Sequence, residues 1–324
     1  MRNCVTGQKG NVTNKRTQLD LSALRFSGTS ETPNLHSQRR VILLRMAVET
    51  KQQNPYPYAT PEEPRNLSDD DLSLLSQYTG EKDLGKLREH VLTIWRNVKS
   101  KLWVYACVQQ LMFLHPRITG HEFYPQALDT IKATPDSIFL DIGCCFGQDT
   151  RQLILDGVPA QSITATDITP DYWEFGKDLF MDRDTLAVHS AFGSFTDPGY
   201  TAATGPLGNI RGRVTFAWAG AVLHVLSAED VRAFATHVHA VLAPGGVWFG
   251  TCVGSEPPGE WAPTPNGNGR RYLHSPSSLR SLLEHIGFSQ VEVVGSATGD
   301  GARVQDGIED NGAQKVMLAY TARK

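Results

Sequence analysis

The sequence predicts an α/β fold: an open, seven-stranded, mostly parallel sheet with helices on both faces, preceded by a helical region. Three observations carry this. From Ser137 onward, short apolar runs alternate with amphipathic stretches and turn residues, the pattern of strands joined by crossover helices. The first of these runs ends in a glycine turn that opens a helix, Leu140 to Asp149, LDIGCCFGQD. The 324 residues are 40% hydrophobic and 9% aromatic, enough apolar material for one sizeable core or two modest ones. Gly (29) and Pro (18) are ordinary in number, which excludes a collagen, a coiled coil or a wholly disordered chain.

Four zones follow along the chain. Residues 1–45 are polar, poor in aromatics and without period, and read as a disordered basic extension. Their arginines and few acids fit a transit peptide, but no amphipathic period supports one, and Met46 is a plausible alternative start. Residues 46–66 form a Pro-rich linker. Residues 67–135 form a helical region, read either as a lid or substrate wall or as plain helix packing on the main domain. In it, Ser68 and Asp71 make a capping box for a helix ended by Gly80. From Glu81, residues Leu84, Leu87, Val91, Ile94, Trp95 and Val98 recur on one helical face. An aromatic stretch through Trp103, Tyr105, Phe113 and Tyr124 follows.

Residues 136–324 are the sheet domain. Ser137–Ile142 reads as the first strand, Gln148–Asp156 as a helix closed by Gly157, and Ser162–Asp167 as the second strand. Thr169-Pro170 opens the next helix with Pro at its first position. Thr185–Ser190 and Arg213–Gly220 are the third and fourth strands. Ser227 and Asp230 form a capping box for a helix whose Val231, Phe234, Ala235, Val238, Val241 and Leu242 share a face. Residues 242–246 read as a turn into the fifth strand, Val247–Val253. A Pro/Gly-rich loop (254–271), a helix at about 276–287, a strand at Val291–Val294 and a last strand at Lys315–Thr321 complete the pattern. Six parallel strands and one antiparallel are expected, with 299–313 as a hairpin tip.

Charge is unevenly placed. Residues 1–45 hold eight Lys/Arg against two Asp/Glu, and the other 279 hold 23 against 32. An acidic body is a poor match for a nucleic-acid backbone. No apolar run approaches the ~18 residues of a membrane span, and no secretory apolar region precedes a cleavage site. Five cysteines without framework or zinc spacing point to a reducing, cytoplasmic setting. A small-molecule partner, without nucleic acid or membrane, is therefore expected; the sequence leaves the oligomeric state open.

The turn after the first strand suits a nucleotide-like ligand, because glycine lets the backbone approach closely and the next helix offers its N-terminus. A dinucleotide fingerprint needs Gly at 143, 145 and 148, and the chain has Cys145 and Gln148. The pattern acidic-x-G-x-G-x-G, found where S-adenosylmethionine binds, has Asp141, Gly143 and Gly147 and lacks only Gly at Cys145. Asp167 ends the second strand 24 residues after Gly143, where an acid accepts hydrogen bonds from both ribose hydroxyls.

With the Asp182-Arg183-Asp184 run, the AVLHVL segment at 221–226 and LAPGG, these residues resemble class I S-adenosylmethionine-dependent methyltransferases. GCCFGQD followed by DGVPAQSI resembles the fungal secondary-metabolism methyltransferases of meroterpenoid pathways. The resemblance covers roughly residues 65–324 and implies a Rossmann-like seven-stranded fold. It also implies methyl transfer from S-adenosyl-L-methionine, often esterifying a carboxylate of a prenylated aromatic polyketide. It implies that Asp141, Gly143, Cys145 and Gly147 line the methionine and adenosyl part and that Asp167 holds the ribose. An acidic residue of a Gly-Asp pair that would meet the adenine is replaced by Ser194 after Gly193, with Asp197 as a possible substitute.

An ionised carboxylate acceptor needs no base, whereas a phenol with a pKa near ~10 would gain from one. His224, just past the fourth strand, is the candidate catalytic base; a structural histidine is the competing reading, and His121 and His274 are weaker candidates. His237 and His239 read as structural, and Cys144 as a packing residue. Trp218, Tyr105 and Phe146 could offer ring faces to a sulfonium. No metal-ligand cluster is evident. Alternatives are N- or C-methylation of another small natural product, or a catalytically silent binding subunit.

Overall fold

The computed structural model describes residues 64–102, 105–263, 270–297 and 313–324. The basic extension, nearly all of the Pro-rich linker and most of the expected hairpin tip lie outside the described residues, as does Trp103.

Helices α1 (Ser73–Thr79), α2 (Leu84–Lys101), α3 (Ala106–Gln109) and α4 (Tyr124–Ala133) precede the sheet. The chain continues as β1 (Phe139–Ile142), α5 (Gln148–Leu155), β2 (Ile163–Asp167), α6 (Pro170–Leu179), β3 (His189–Phe192) and β4 (Val214–Gly220). Then come α7 (Ala228–Val241), β5 (Leu242–Glu256), a hairpin of β6 (Gly259–Pro263) and β7 (Arg270–Leu273), α8 (Pro276–Ile286), β8 (Ser289–Ala297) and β9 (Gln314–Arg323). The main sheet has the order β3-β2-β1-β4-β5-β9-β8. Pairs among β1 to β5 are parallel, and β9 runs antiparallel to both neighbours. Strand order reverses between β1 and β4, which opens a crevice at their carboxyl ends.

Each central strand is buried on both faces, and alternation sorts its side chains. Phe139, Phe216, Trp218 and Phe249 pack with α4 and Leu153 of α5. Leu140, Ala217, Ala219 and Trp248 face the opposite way, against Val231, Phe234 and Val238 of α7 and Leu279 and Leu283 of α8. Caps hold these helices in place. Ser227 Oγ accepts from Asp230 N at 3.1 Å, and Ser275 makes a full capping box with Ser278. In the helical region, Ser68 N donates to Asp71 Oδ2 (2.7 Å) and Asp71 N to Ser68 Oγ (3.3 Å), and Gly80 ends α1 at φ +77°. Leu87, Val91, Ile94, Trp95 and Val98 of α2 are buried with Phe113, Phe146, Tyr172 and Phe180, so this helix covers α6 and the turn after β1.

Three elements differ from expectation. The third strand starts four residues late, because Thr185 and Leu186 close the turn after α6 by donating to Asp182 O. Pairing of β3 with β2 runs from Thr164↔His189 to Asp167↔Phe192. The 242–246 turn joins β5, since Leu242 already pairs with Val214 before a register shift restores Phe216↔Val247. The 254–271 loop contains the β6–β7 hairpin, with Gly259 opposite Leu273.

Candidate functional site

The turn after β1 is fixed by backbone bonds. Gly143 N and Cys144 N donate to Thr166 O of β2 (2.8 and 3.1 Å), and Gly147 N donates to Cys144 O (2.6 Å). Gly143 (φ +75°) lies against Val222, where a Cβ would overlap the valine Cγ2. Gly147 (φ +74°) lies on Trp173, whose Cζ3 would be 2.6 Å from a Cβ. Cys145, at the position where the pattern has glycine, takes the left-handed conformation anyway, at φ 51°. That conformation costs a non-glycine residue of the order of 1 kcal/mol. Its N–H compensates by donating to Asp167 Oδ2 at 2.9 Å.

Asp167 thus reaches back from the end of β2 to the turn, and its Oδ1 accepts from Thr169 N (2.8 Å). Burial pushes its carboxyl above the ordinary range, against the pull of those N–H groups. Each oxygen keeps a lone pair beyond its backbone bond. Asp141 is buried and accepts from Thr150 Oγ1 (2.6 Å); burial first, then the neighbouring Asp149 charge, push it up. Ser194 is half-buried after β3. Its hydroxyl lies 2.8 Å from Thr196 Oγ1 and accepts from Thr196 N at 3.3 Å. Asp197 is exposed and accepts from Gly199 N at 2.8 Å, so it braces its own loop.

His224 occupies a single helical turn, Leu223–Val225, directly beyond β4 and is half-buried. Tyr272 N of β7 donates to Leu226 O (2.8 Å), bringing the hairpin to the same turn. The other four histidines weighed in the sequence are held by packing or hydrogen bonds. His121 is 5% exposed, lies edge-on to Trp218 and Phe249, and accepts from Phe123 N at 3.2 Å. His274 is buried with Nδ1 3.0 Å from Ser278 Oγ, and burial pulls it down to about 4. His237 Nδ1 lies 2.7 Å from Phe195 O, and His239 lies edge-on to Phe288.

Two of the three rings considered for a sulfonium are core residues instead. Trp218 is fully buried, with its indole N–H on Asp149 Oδ2 (3.0 Å). Phe146 is fully buried and stacked on Phe113, with centroids 4.1 Å apart. Tyr105 is half-buried with its ring 6.0 Å from that of Tyr172. Cys144 is buried with Ala165 and Trp173, and burial pushes its thiol up, so it packs as a small apolar residue.

Sequence spacing missed the residues that support the turn. Asp149 Oδ1 accepts from Arg117 N (2.6 Å) and Ile118 N (3.0 Å), tying the segment before α4 to α5 and, through Trp218, to β4. Arg151 is fully buried against Asp182. An acid two residues past the glycine turn and an arginine on the inner face of a short helix are the available signals; their partners lie 31 to 69 residues away. Among the described residues, no three His, Cys, Asp or Glu side chains gather as metal ligands, and no helix is long and apolar enough to cross a membrane.

Strand order, the glycine turn in the switch-point crevice and the acid ending β2 define the class: a Rossmann-like, doubly wound fold with its ligand crevice at the carboxyl ends of β1 and β4. More narrowly, the chain is similar to fungal methyltransferases. It is 33% identical over 172 residues to methyltransferase adrK of Penicillium roqueforti, covering 53% of this chain and 59% of that one. It is 30% identical over 208 residues to O-methyltransferase atr3 of Stereocaulon alpinum, covering 62% and 57%. O-methyltransferase phiE of a fungal strain is 27% identical over 203 residues, covering 61% and 66%. The chain thus spans less than two thirds of the length of each. Among solved structures, 1,6-didemethyltoxoflavin-N1-methyltransferase of Burkholderia thailandensis is 17% identical over 82% of this chain and 93% of that one, with a TM-score of 0.42, too loose a likeness to bear on chemistry. No protein-family model matches the chain.

Proposed function

We propose that the chain is a cytoplasmic S-adenosylmethionine-dependent methyltransferase of fungal secondary metabolism that converts a carboxylate of a small meroterpenoid acceptor to its methyl ester. The observation that carries the reading is the contact between Asp167 Oδ2 and Cys145 N, which joins the acid at the end of β2 to the glycine turn after β1. The cradle fits the donor: Gly143 and Gly147 let the turn close tightly on Val222 and on Trp173 and Arg151, and Asp167 retains acceptor capacity for two ribose hydroxyls.

When bound, the donor supplies an activated methyl group on a sulfonium. Asp141, Gly143, Cys145 and Gly147 hold its methionine and adenosyl portion, Asp167 orients the ribose, and Ser194 stands where the adenine edge falls. Helix α5 directs its N-terminal amides toward the turn. The chain's contribution is alignment and exclusion of water, which suffice for an in-line displacement by an ionised acid. His224 and the β6–β7 hairpin form the acceptor side, and the α1–α4 region covers the crevice as a lid. The relatives atr3 and phiE, both called O-methyltransferases, support oxygen as the acceptor atom.

Equilibrium binding of labelled S-adenosylmethionine, followed by turnover on matched panels of aromatic acids and phenols, tests the reading. Binding with ester formation is expected. Absence of binding overturns the proposal, and turnover confined to phenols overturns the ester. On an acid, His224→Ala keeps kcat within about twofold; a phenol acceptor that needed its base would lose about 10²-fold or more.

A further inference from the structure

The buried ion pair beside the turn has no part in the ligand contacts proposed above. Arg151 is fully buried and meets Asp182, 5% exposed, with both prongs: Nε to Oδ2 at 3.0 Å and Nη2 to Oδ1 at 2.9 Å. Its remaining nitrogen, Nη1, donates to Phe146 O (3.0 Å) and Gly147 O (3.3 Å), two successive carbonyls of the turn. The guanidinium is boxed by the rings of Trp173 (4.7 Å) and Phe180 (4.9 Å). Tyr78 of α1 donates to Asp182 Oδ2 at 2.9 Å and sets its ring edge on Phe180. A buried ion pair is a weak source of stability, since apolar residues of similar volume often do as well. The geometry therefore calls for a different role.

A trans peptide points its N–H opposite its carbonyl, so fixing two carbonyls fixes the direction of the next two amides. A guanidinium held this close to the turn would also repel a cationic ligand unless its charge were cancelled nearby. We infer that Arg151 and Asp182 are positioning residues of the turn: Arg151 orients its amides, and Asp182 neutralises Arg151 so that a sulfonium is accepted there. Tyr78 fixes the carboxylate from the helical region, joining α1 to the turn through one acid. This inference rests on the methyltransferase reading.

The test compares the sulfonium donor with its uncharged thioether product, S-adenosylhomocysteine, by titration calorimetry. In Asp182→Asn, affinity for S-adenosylmethionine falls about tenfold further than affinity for the thioether, the scale of one uncancelled charge at short range. In the double variant Arg151→Met/Asp182→Leu, which removes both charges of the pair and is the more tolerant of folding, the ratio of the two affinities returns to within about twofold of the parent. Amide exchange of residues 144–148, measured without ligand, is then at least about tenfold faster than in the parent, as expected for a turn released from its clamp. Equal losses for both ligands in Asp182→Asn overturn the charge role, and unchanged exchange in the double variant overturns the positioning role. A parent protein that binds neither ligand overturns the methyltransferase reading instead, while the exchange result still decides the clamp.

Discussion

On the β1–β2 side of the crevice, the turn 143–147 is held by main-chain bonds to Thr166 O, by Asp167 and by the buried Arg151–Asp182 pair. On the β4–β5 side, the His224 turn and the β6–β7 hairpin meet through Tyr272 N and Leu226 O, with His274 buried where β7 leads into α8. The first side is built from backbone that glycine and strand-end acids dictate. The second is set by where a short hairpin meets a single helical turn. The difference is that the first half is set by main-chain bonds within the sheet and the second by how a hairpin docks on a turn.

The largest effect that could break this contrast is at Gly147. A methyl group there meets the buried Trp173 ring and the pinned Arg151 at a positive φ, so Gly147→Ala should weaken binding of S-adenosylmethionine about 10³-fold or destabilise the turn outright. Calorimetry beside a melting curve separates the two, and binding within tenfold of the parent would show the turn to be pliable.

On the hairpin side the corresponding probe is pH. The folded-state value of His274 is depressed to about 4, so its contribution to stability is present above the unfolded value of 6.5 and is lost as pH falls through 4. The parent should lose about 3 kcal/mol from this group between neutral pH and pH 4, and His274→Gln should flatten that part of the slope. Parallel slopes for both proteins in chemical denaturation would contradict it.

Asp167→Ala removes both the proposed ribose acceptor and the brace on Cys145 N, and it should raise the Kd for S-adenosylmethionine about 10- to 100-fold. A thiol-alkylation assay adds a ligand-free readout: Cys145 should react faster once its amide is released. The smallest effect sharpens the contrast. Ser194→Asp, which installs a carboxylate where the adenine amine would lie, should tighten binding about threefold. No change in Kd would place the adenine elsewhere.

Much of the first side was legible in the sequence. The spacing of Asp141, Gly143, Gly147 and Asp167 corresponds to a turn between β1 and α5 and an acid at the end of β2, because local periodicity and glycine placement set those elements. The face of α7, Val231 to Val241, is buried as its spacing predicts. The bounds of β3 were not legible: Thr185–Ser190 alternates like a strand, but pairing with β2 selects His189–Phe192. The hairpin hid in a Pro/Gly-rich stretch that reads as loop.

By itself, then, the sequence determined the order of the main-sheet strands and helices, the capped start of α7, and the site of the glycine turn, all of which depend on residues within about one turn or one strand of each other. Only the tertiary structure decided that Asp149 holds the segment before α4, that Asp182 finds Arg151 and Tyr78, and that Trp218 and Phe146 belong to the core. Those contacts join residues 31 to 104 positions apart, and what selects them is the cost of leaving a buried charge or donor without a partner, which no local spacing encodes.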